Sequence, residues 1–282
     1  MFSSLLHTYI VCKRRERKRQ VKVYVLNQKS VTKIILAFFL IFTSIIVSKP
    51  YFQEISQTMA QKQTRKLPIY CVDNRENKIA VTFDAAWGAD DTDDLLRILE
   101  KHQVKATFFL VGDWVKRYPE EVKRIAAAGH EIANHSDTHP HVGKMSKEAN
   151  KKELMDAHQR VKELIGKDMN LFRPPYGEYN DTVLTAAEEC GYYTIQWDVD
   201  SLDWKEFGVE PLIRQVLDHK HLGSGSIILF HNNAKYTKDA LDAILQGLKD
   251  KGYTMVPVSE LILKENYYMD HEGRQKPIES KN

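Results

Sequence analysis

The sequence predicts an α/β fold of about seven parallel strands covered by helices, preceded by one N-terminal transmembrane helix. Three observations predict it. From residue 69 onward short apolar runs alternate with helical patterns, the order of successive βα units. Runs such as ATFFLV (106–111) and SIILF (226–230) are apolar without alternation, as strands buried on both faces are. A charge-free stretch, IILAFFLIFTSIIV (34–47), follows a strongly basic leader. Seven or so units in about 195 residues suit one closed barrel, with an open doubly wound sheet as the alternative.

The leader, residues 1–33, carries nine Lys/Arg and one acid, Glu16, a charge of +8. The rest of the 282 residues holds 32 Lys/Arg against 37 Asp/Glu, or −5. A mildly acidic body argues against a nucleic-acid-binding domain, which needs a basic face for phosphates. The basic excess instead orients a membrane segment, because positive charge stays in the cytoplasm. Residues 34–48 are expected to be an uncleaved signal anchor, near the lower length limit for a span once Val31, Thr32 and a snorkelling Lys33 are included. Ser48-Lys49-Pro50 offers no small-x-small cleavage site, which disfavours a cleaved signal peptide. The expected organisation is therefore a cytoplasmic tail (1–33), the anchor (34–48), a polar stalk (49–68), an extracytoplasmic domain (69–264) and a polar, frayed tail (265–282).

Within the domain each element has its own signal. KIAVTF (78–83) reads as a strand, and 91–103 as a helix with Asp/Thr start signals and Leu95, Leu96, Ile98 and Leu99 on one side. Residues 106–111 form the next strand, and 119–128 a helix stopped by Gly129. A short strand at 131–134 precedes a long helix at 147–165, closed by Gly166. A strand reaches Phe172, and the prolines of Arg-Pro-Pro-Tyr-Gly make the following loop. Then come a helix at 181–190 stopped by Gly191, a strand at 192–198, a helix at 211–219, a strand at 226–230, a helix at 237–250 and a last strand at 253–256. Cys71 and Cys190 leave a disulfide or two free thiols equally open, and the absence of CxxC excludes a structural zinc finger.

The chemistry-bearing residues fall just past the strand ends, where parallel α/β folds keep their sites. Asp84 follows KIAVTF, His135 and His139 follow EIAN, and Arg173 follows Phe172. Asp198, Asp200 and Asp203 follow YYTIQW, and His231 follows SIILF. His135 and His139, four apart, can direct two imidazoles at one metal ion.

Five motifs stand in order: Thr82-Phe83-Asp84, His135-Ser136-Asp137-Thr138-His139, Arg173-Pro174-Pro175-Tyr176, Asp200-Ser201-Leu202-Asp203-Trp204 and Leu229-Phe230-His231. Together they resemble the polysaccharide deacetylase family with a NodB-homology domain, carbohydrate esterase family 4, over about residues 78–263. The resemblance implies a distorted (β/α) barrel and metal-assisted removal of N-acetyl groups from a cell-wall or exported polysaccharide, a peptidoglycan- or chitin-like amino sugar polymer. Hydrolysis of O-acetyl esters is the alternative reaction that the resemblance implies, since the same site can attack both carbonyls. It implies Asp84 as general base, Arg173 as its partner, His231 as general acid and Asp203 as the group that orients His231. It further implies His135 and His139 as ligands of a divalent metal, zinc or similar. Tyr176, with Pro175, would supply an oxyanion contact from its backbone, and Trp204 and Leu229 would wall the acetyl pocket.

One position departs from the family. Its first motif has two consecutive aspartates, the second a metal ligand; here the second is Ala85. A methyl group ligates nothing, so the resemblance implies a weakly bound metal. Four consequences are open: Asp84 ligates in its place, Asp90 or Asp91 swings in, the site runs on loosely held metal, or the protein is a non-catalytic glycan binder. Single-Asp sequences continuing Trp87-Gly88 resemble deacetylase-like proteins of spore-forming bacteria.

Overall fold

The computed structural model describes residues 10–12, 23–25, 33 and 66–278. The chain divides into two compact units, Met1–Thr64 and Arg65–Asn282. In the first, β1 (Ile10–Cys12) and β2 (Val23–Val25) pair antiparallel. The predicted anchor, 34–48, and all but the last residues of the predicted stalk, 49–68, lie outside the described residues. Among the described residues no helix is long and apolar enough to cross a membrane.

The second unit contains β3 (Cys71–Val72), β4 (Lys78–Ala85), β5 (Thr107–Leu110), β6 (Glu131–Asn134), β7 (Leu171–Phe172), β8 (Tyr193–Thr194), β9 (Val199–Asp200), β10 (Ile227–His231) and β11 (Thr254–Met255). The main sheet runs β8-β7-β6-β5-β4-β10-β9 with every pair parallel, and β11 pairs with the first residues of β4. Its two edges, β8 and β9, are separated in the chain only by residues 195–198. So short a link reaches no more than ~18 Å even when extended. The sheet must therefore curl until its edges nearly meet, and Ile69 bridges in parallel to Ile195 on one side of the gap. The result is a distorted (β/α) barrel, curled but not closed by a continuous ladder.

This corrects the reading of 192–198 as one strand. Only Tyr193–Thr194 of the segment is strand, on one edge of the sheet; β9, on the other edge, begins at Val199, and the turn between them is set by a side chain. Asp198 Oδ1 accepts the Ile227 backbone N–H at 2.9 Å and Oδ2 the Ser226 hydroxyl at 3.0 Å, so the carboxylate caps β10 rather than facing the site.

Helices α1 (Thr92–Lys101), α2 (Gly112–Arg117), α3 (Pro119–Ala127), α4 (Lys147–Ile165), α5 (Asp181–Glu189), α6 (Val209–Leu217), α7 (Thr237–Asp250) and α8 (Val258–Leu261) complete the unit. Local chemistry sets the bounds of α4: the Ser146 hydroxyl accepts the Ala149 N–H, and Gly166 takes the left-handed φ of +69° that ends the helix. Alternation along β4 splits its side chains between two layers. Ile79, Val81, Phe83 and Ala85 join the outer cluster with α1 and α7, while Ala80 packs inside the curl with Phe109, Ala133 and Ile227. Phe83 stacks between Phe108 and Phe230, with centroids at 4.9 and 5.6 Å, and its burial contributes ~2–3 kcal/mol. The same alternation turns Thr82 and Asp84 inward, toward the mouth of the barrel.

As far as residue 278, the tail expected to be frayed is instead built into the fold. β12 (Tyr267–Met269) and β13 (Arg274–Pro277) form a hairpin, and β13 pairs in parallel with β3. Fully buried Gln275 donates to the Leu263 carbonyl at 2.8 Å and accepts its N–H at 2.9 Å. Backbone pairing and one amide hold this polar segment, so it lacks the apolar run by which strands are recognised. Cys71 and Cys190 are both free thiols.

Gly225 closes the seam between β3 and β4: its N–H donates to the Lys78 carbonyl and its own carbonyl accepts the Val72 N–H. Its φ is +86°, and a Cβ there would stand 1.7 Å from the Val72 carbonyl oxygen. Gly225→Ala is therefore expected to lower the unfolding free energy by about 3 kcal/mol in urea titration.

Candidate active site

Asp84 is the last residue but one of β4 and His231 the last of β10, and the two strands pair with His231 opposite Asp84. Each of the two residues has a buried partner. Arg173, fully buried behind β7, donates from Nη1 to Asp84 Oδ1 at 2.7 Å and to Thr82 Oγ1 at 2.9 Å, and from Nη2 to the Gln196 carbonyl at 3.2 Å. Its guanidinium lies over the Phe109 ring at 4.0 Å. Burial pushes the Asp84 pKa up, but Arg173, with His135 and His231, outweighs it and holds the carboxyl below the usual carboxylate range.

Asp203 is the partner of His231. Its Oδ1 accepts His231 Nδ1–H at 2.7 Å and the Trp204 N–H at 2.9 Å. Its Oδ2 accepts the His231 backbone N–H at 2.7 Å and the Thr237 hydroxyl at 2.8 Å. Burial drives the His231 pKa down; the hydrogen bond and charge of Asp203 overcome this and leave it raised. Thr237 opens α7, and no motif in the sequence pointed to it; Thr82 stands in the first motif, but with no role assigned to its hydroxyl. For Thr82 the signal was its i−2 position on the inward face of β4.

The histidine loop leaves β6. His135 Nδ1 lies 2.7 Å from the Arg173 carbonyl oxygen, an acceptor only, so Nδ1 carries the proton. Burial lowers the His135 pKa despite Asp84, which leaves Nε2 a lone-pair nitrogen facing Asp84 Oδ2 at 3.6 Å. The rings of His135 and His139 touch edge to face at 4.9 Å. Burial, then His135, brings the His139 pKa down to about 4, and its Nδ1 is buried without a partner.

These donors fit a loosely held divalent cation. The lone-pair Nε2 of His135 is free to ligate, with the Asp84 carboxylate 3.6 Å away to complement the charge of an ion. Unpartnered His139 adds a further nitrogen to the same cluster. They do not make a firm site: among the described residues no group of three or more His, Cys, Asp or Glu is placed to hold a metal ion. Ala85 is fully buried and adds no donor. Neither loop acid joins such a group. Asp90 is exposed, and Asp91 Oδ2 accepts the Asn233 N–H at 2.7 Å while burial raises its pKa to about 6.

The loop's shape comes from α4. Ser136 and His139 both adopt positive φ, +67° and +59°. Glu153 Oε2 accepts the N–H groups of Asp137 and Thr138 at 3.0 and 2.8 Å, and Arg160 grips Asp137 at 2.6 and 3.1 Å. Neither Glu153 nor Arg160 was legible as a site residue, because each acts from a helix surface where charge is ordinary.

The remaining candidates separate. Pro175 is buried at the start of a 3-10 turn, and Tyr176 takes a left-handed φ of +59° with its ring against His139 at 4.6 Å. Leu229 is buried within β10, while Trp204 is 56% exposed. A cavity of about 120 Å³ beside Asp203 is lined by Ser201, Leu202, Phe207, Pro211 and Tyr236 among others, and neither Trp204 nor Leu229 lines it. Asp200 Oδ1 accepts the Leu202 N–H at 2.9 Å and shapes its own turn.

Comparison with known proteins agrees with this arrangement. Residues 72–195 match the family model described as Polysaccharide deacetylase. An uncharacterized protein of Bacillus subtilis is 34% identical over 211 residues, which span 75% of this chain and 65% of the relative. A peptidoglycan-N-acetylglucosamine deacetylase of Bacillus cereus is 38% identical over 196 residues, 68% of this chain and 91% of the relative. Among solved structures, a carbohydrate esterase family 4 pseudoenzyme of Bacillus anthracis superposes with a TM-score of 0.66 at 34% identity, over 69% of this chain and 68% of that one. A mutant of that pseudoenzyme with restored enzymatic activity gives the same TM-score at 35% identity, over 69% of this chain and 70% of that one. With its five ordered motifs on one barrel rim and relatives matched over most of their length, the chain belongs to the polysaccharide deacetylase family.

Proposed function

We propose that the protein is a hydrolase that removes N-acetyl groups from an amino-sugar polymer of the cell wall, of the peptidoglycan or chitin type, from an extracytoplasmic position fixed by an anchor at 34–48. The observation that carries this reading is the pair of buried ion pairs on adjacent strands, Arg173–Asp84 and Asp203–His231, in register at the barrel mouth. Asp84, kept ionised by Arg173, takes a proton from the attacking water through Oδ2, since Oδ1 is held by the guanidinium. His231, whose Nδ1 is committed to Asp203, gives a proton from Nε2 to the leaving amine as the carbon–nitrogen bond breaks. The products are acetate and a free amino sugar. The turn at Tyr176 faces the reaction centre across His139 and is the candidate for contacting the developing oxyanion. His135 and His139, beside Asp84, would hold a divalent cation, which when bound polarises the acetyl carbonyl.

A second reading, a glycan binder without turnover, is favoured by Ala85 and by the likeness to the Bacillus anthracis pseudoenzyme. Acetate release by the full chain from an N-acetylglucosamine polymer, with several divalent metals in turn, separates the two. The enzymatic reading expects release at least ~100-fold above a His231→Ala variant. Release equal to that variant with every metal, together with binding of the polymer by the parent, would establish the binder.

A further inference from the structure

His141 stands outside the family motifs, and neither the proton transfers nor the cation uses it. The structure nonetheless fixes it with care. His141 Nδ1 donates to Glu178 Oε1 at 2.8 Å, and its ring lies flat on Tyr176, with centroids 4.6 Å apart and planes 17° apart. The Tyr176 ring in turn meets His139 at 4.6 Å, and His139 meets His135 at 4.9 Å. The imidazole is thus one ring further out than Tyr176 on a continuous path of contacts from the reaction centre. Its side chain is 54% exposed, and its Nε2 makes no hydrogen bond among the described residues.

Holding it there has a cost. Glu178 Oε2 is buried with no partner, and an unmet carboxylate oxygen is destabilising. The backbone of Gly143 passes beside it, where a Cβ would come 3.6 Å from that oxygen. A surface histidine needs no such support. A carboxylate that sets the tautomer and pitch of an imidazole, leaving one nitrogen turned to solvent beside an exposed aromatic face, is the arrangement that receives a sugar. The ring faces cover its C–H groups and the free nitrogen accepts a hydroxyl.

We propose that His141, oriented by Glu178 on the Tyr176 ring, contacts the sugar unit adjoining the one whose acetyl group is removed, accepting one of its hydroxyls at Nε2. This rests on the deacetylase reading and names the substrate as an oligomer rather than a single sugar. The site therefore discriminates by chain length.

The test is binding of the full chain to a soluble β-1,4-linked N-acetylglucosamine oligomer and to the monosaccharide, by calorimetry, which works whether or not turnover occurs. His141→Ala is expected to weaken oligomer binding about tenfold and leave monosaccharide binding unchanged. His141→Phe, which keeps the stack and removes the acceptor, is expected to recover part of the loss. Both variants should keep one cooperative melting transition, lowered by a few degrees at most for the Glu178 oxygen left without its partner. Oligomer binding by the parent that survives intact in His141→Ala overturns the proposal alone. No glycan binding by the parent overturns it together with the functional reading.

Discussion

Arg173→Met is expected to destabilise the protein by about 3–5 kcal/mol at neutral pH, because it leaves the Asp84 carboxylate buried and uncompensated. The pH dependence identifies the cause. In the parent, Asp84 titrates below its unfolded value, so its contribution is present above roughly pH 4 and is lost as pH falls through the depressed folded pKa. Without Arg173 the desolvation of Asp84 prevails and its pKa moves up instead. The variant's deficit should therefore shrink between roughly pH 7 and pH 4, as the buried carboxyl becomes neutral. Urea titrations at both pH values measure this, and a deficit that stays constant would mean the loss is one of packing against Phe109 and Trp197. The double variant Arg173→Met/Asp84→Leu removes both charges. It is expected to regain much of the stability while abolishing acetate release. Such recovery would separate the pair's chemical role from its structural one.

The parts of this centre that were legible in the sequence share a physical reason. Asp84 and His231 stand at the ends of strands that are apolar on both faces, so each polar residue after the apolar run marks a strand end, and parallel strands end on one rim. The long helix 147–165 was equally legible, because Ser146 and Gly166 are local signals that act within a turn of the chain. What escaped depends on partners distant in sequence. Residues 192–198 look like one strand by composition, yet only 193–194 pair, and the Asp198 contacts with Ser226 and Ile227 turn the chain before β9. The 265–278 hairpin is polar and is held by backbone pairing to β3, some two hundred residues earlier. Glu153 and Arg160 read as ordinary helix charges until the fold lays α4 against the histidine loop. Ala85 is the reverse case. Its meaning came from the resemblance alone, and the fold adds that its methyl belongs to the outer core rather than to the mouth.

Asp203→Asn is expected to lower turnover by roughly a thousandfold while leaving the shape of the site nearly intact, because the substitution changes hydrogen-bond direction rather than size. Each carboxylate oxygen of Asp203 accepts two hydrogen bonds, from the His231 ring and Trp204 N–H on one side and from the His231 N–H and Thr237 hydroxyl on the other. An amide has one oxygen, so its NH₂ must confront two of these donors. If it faces the ring, Nδ1 becomes the acceptor and the imidazole loses the partner that stabilises its charged form. Asp203 is the strongest of the groups that keep the His231 pKa raised, ahead of Asp84 and Asp200, so in the variant burial gains weight and the pKa is expected to fall. A general acid must be protonated to act. The alkaline limb of the pH–rate profile should therefore lie above about pH 6.5 in the parent and move to lower pH in the variant, with part of the lost activity recovered in acid. Stability follows the same sign. The contribution of the Asp203–His231 pair is full below the unfolded imidazole pKa and fades as pH rises through the raised folded value, so the stability gap between parent and variant narrows in alkali. Titration of the His231 ring by NMR gives the shift directly, even for a chain without turnover. An unchanged ring pKa with uniformly reduced activity at every pH would reduce Asp203 to a brace for the turn after β9.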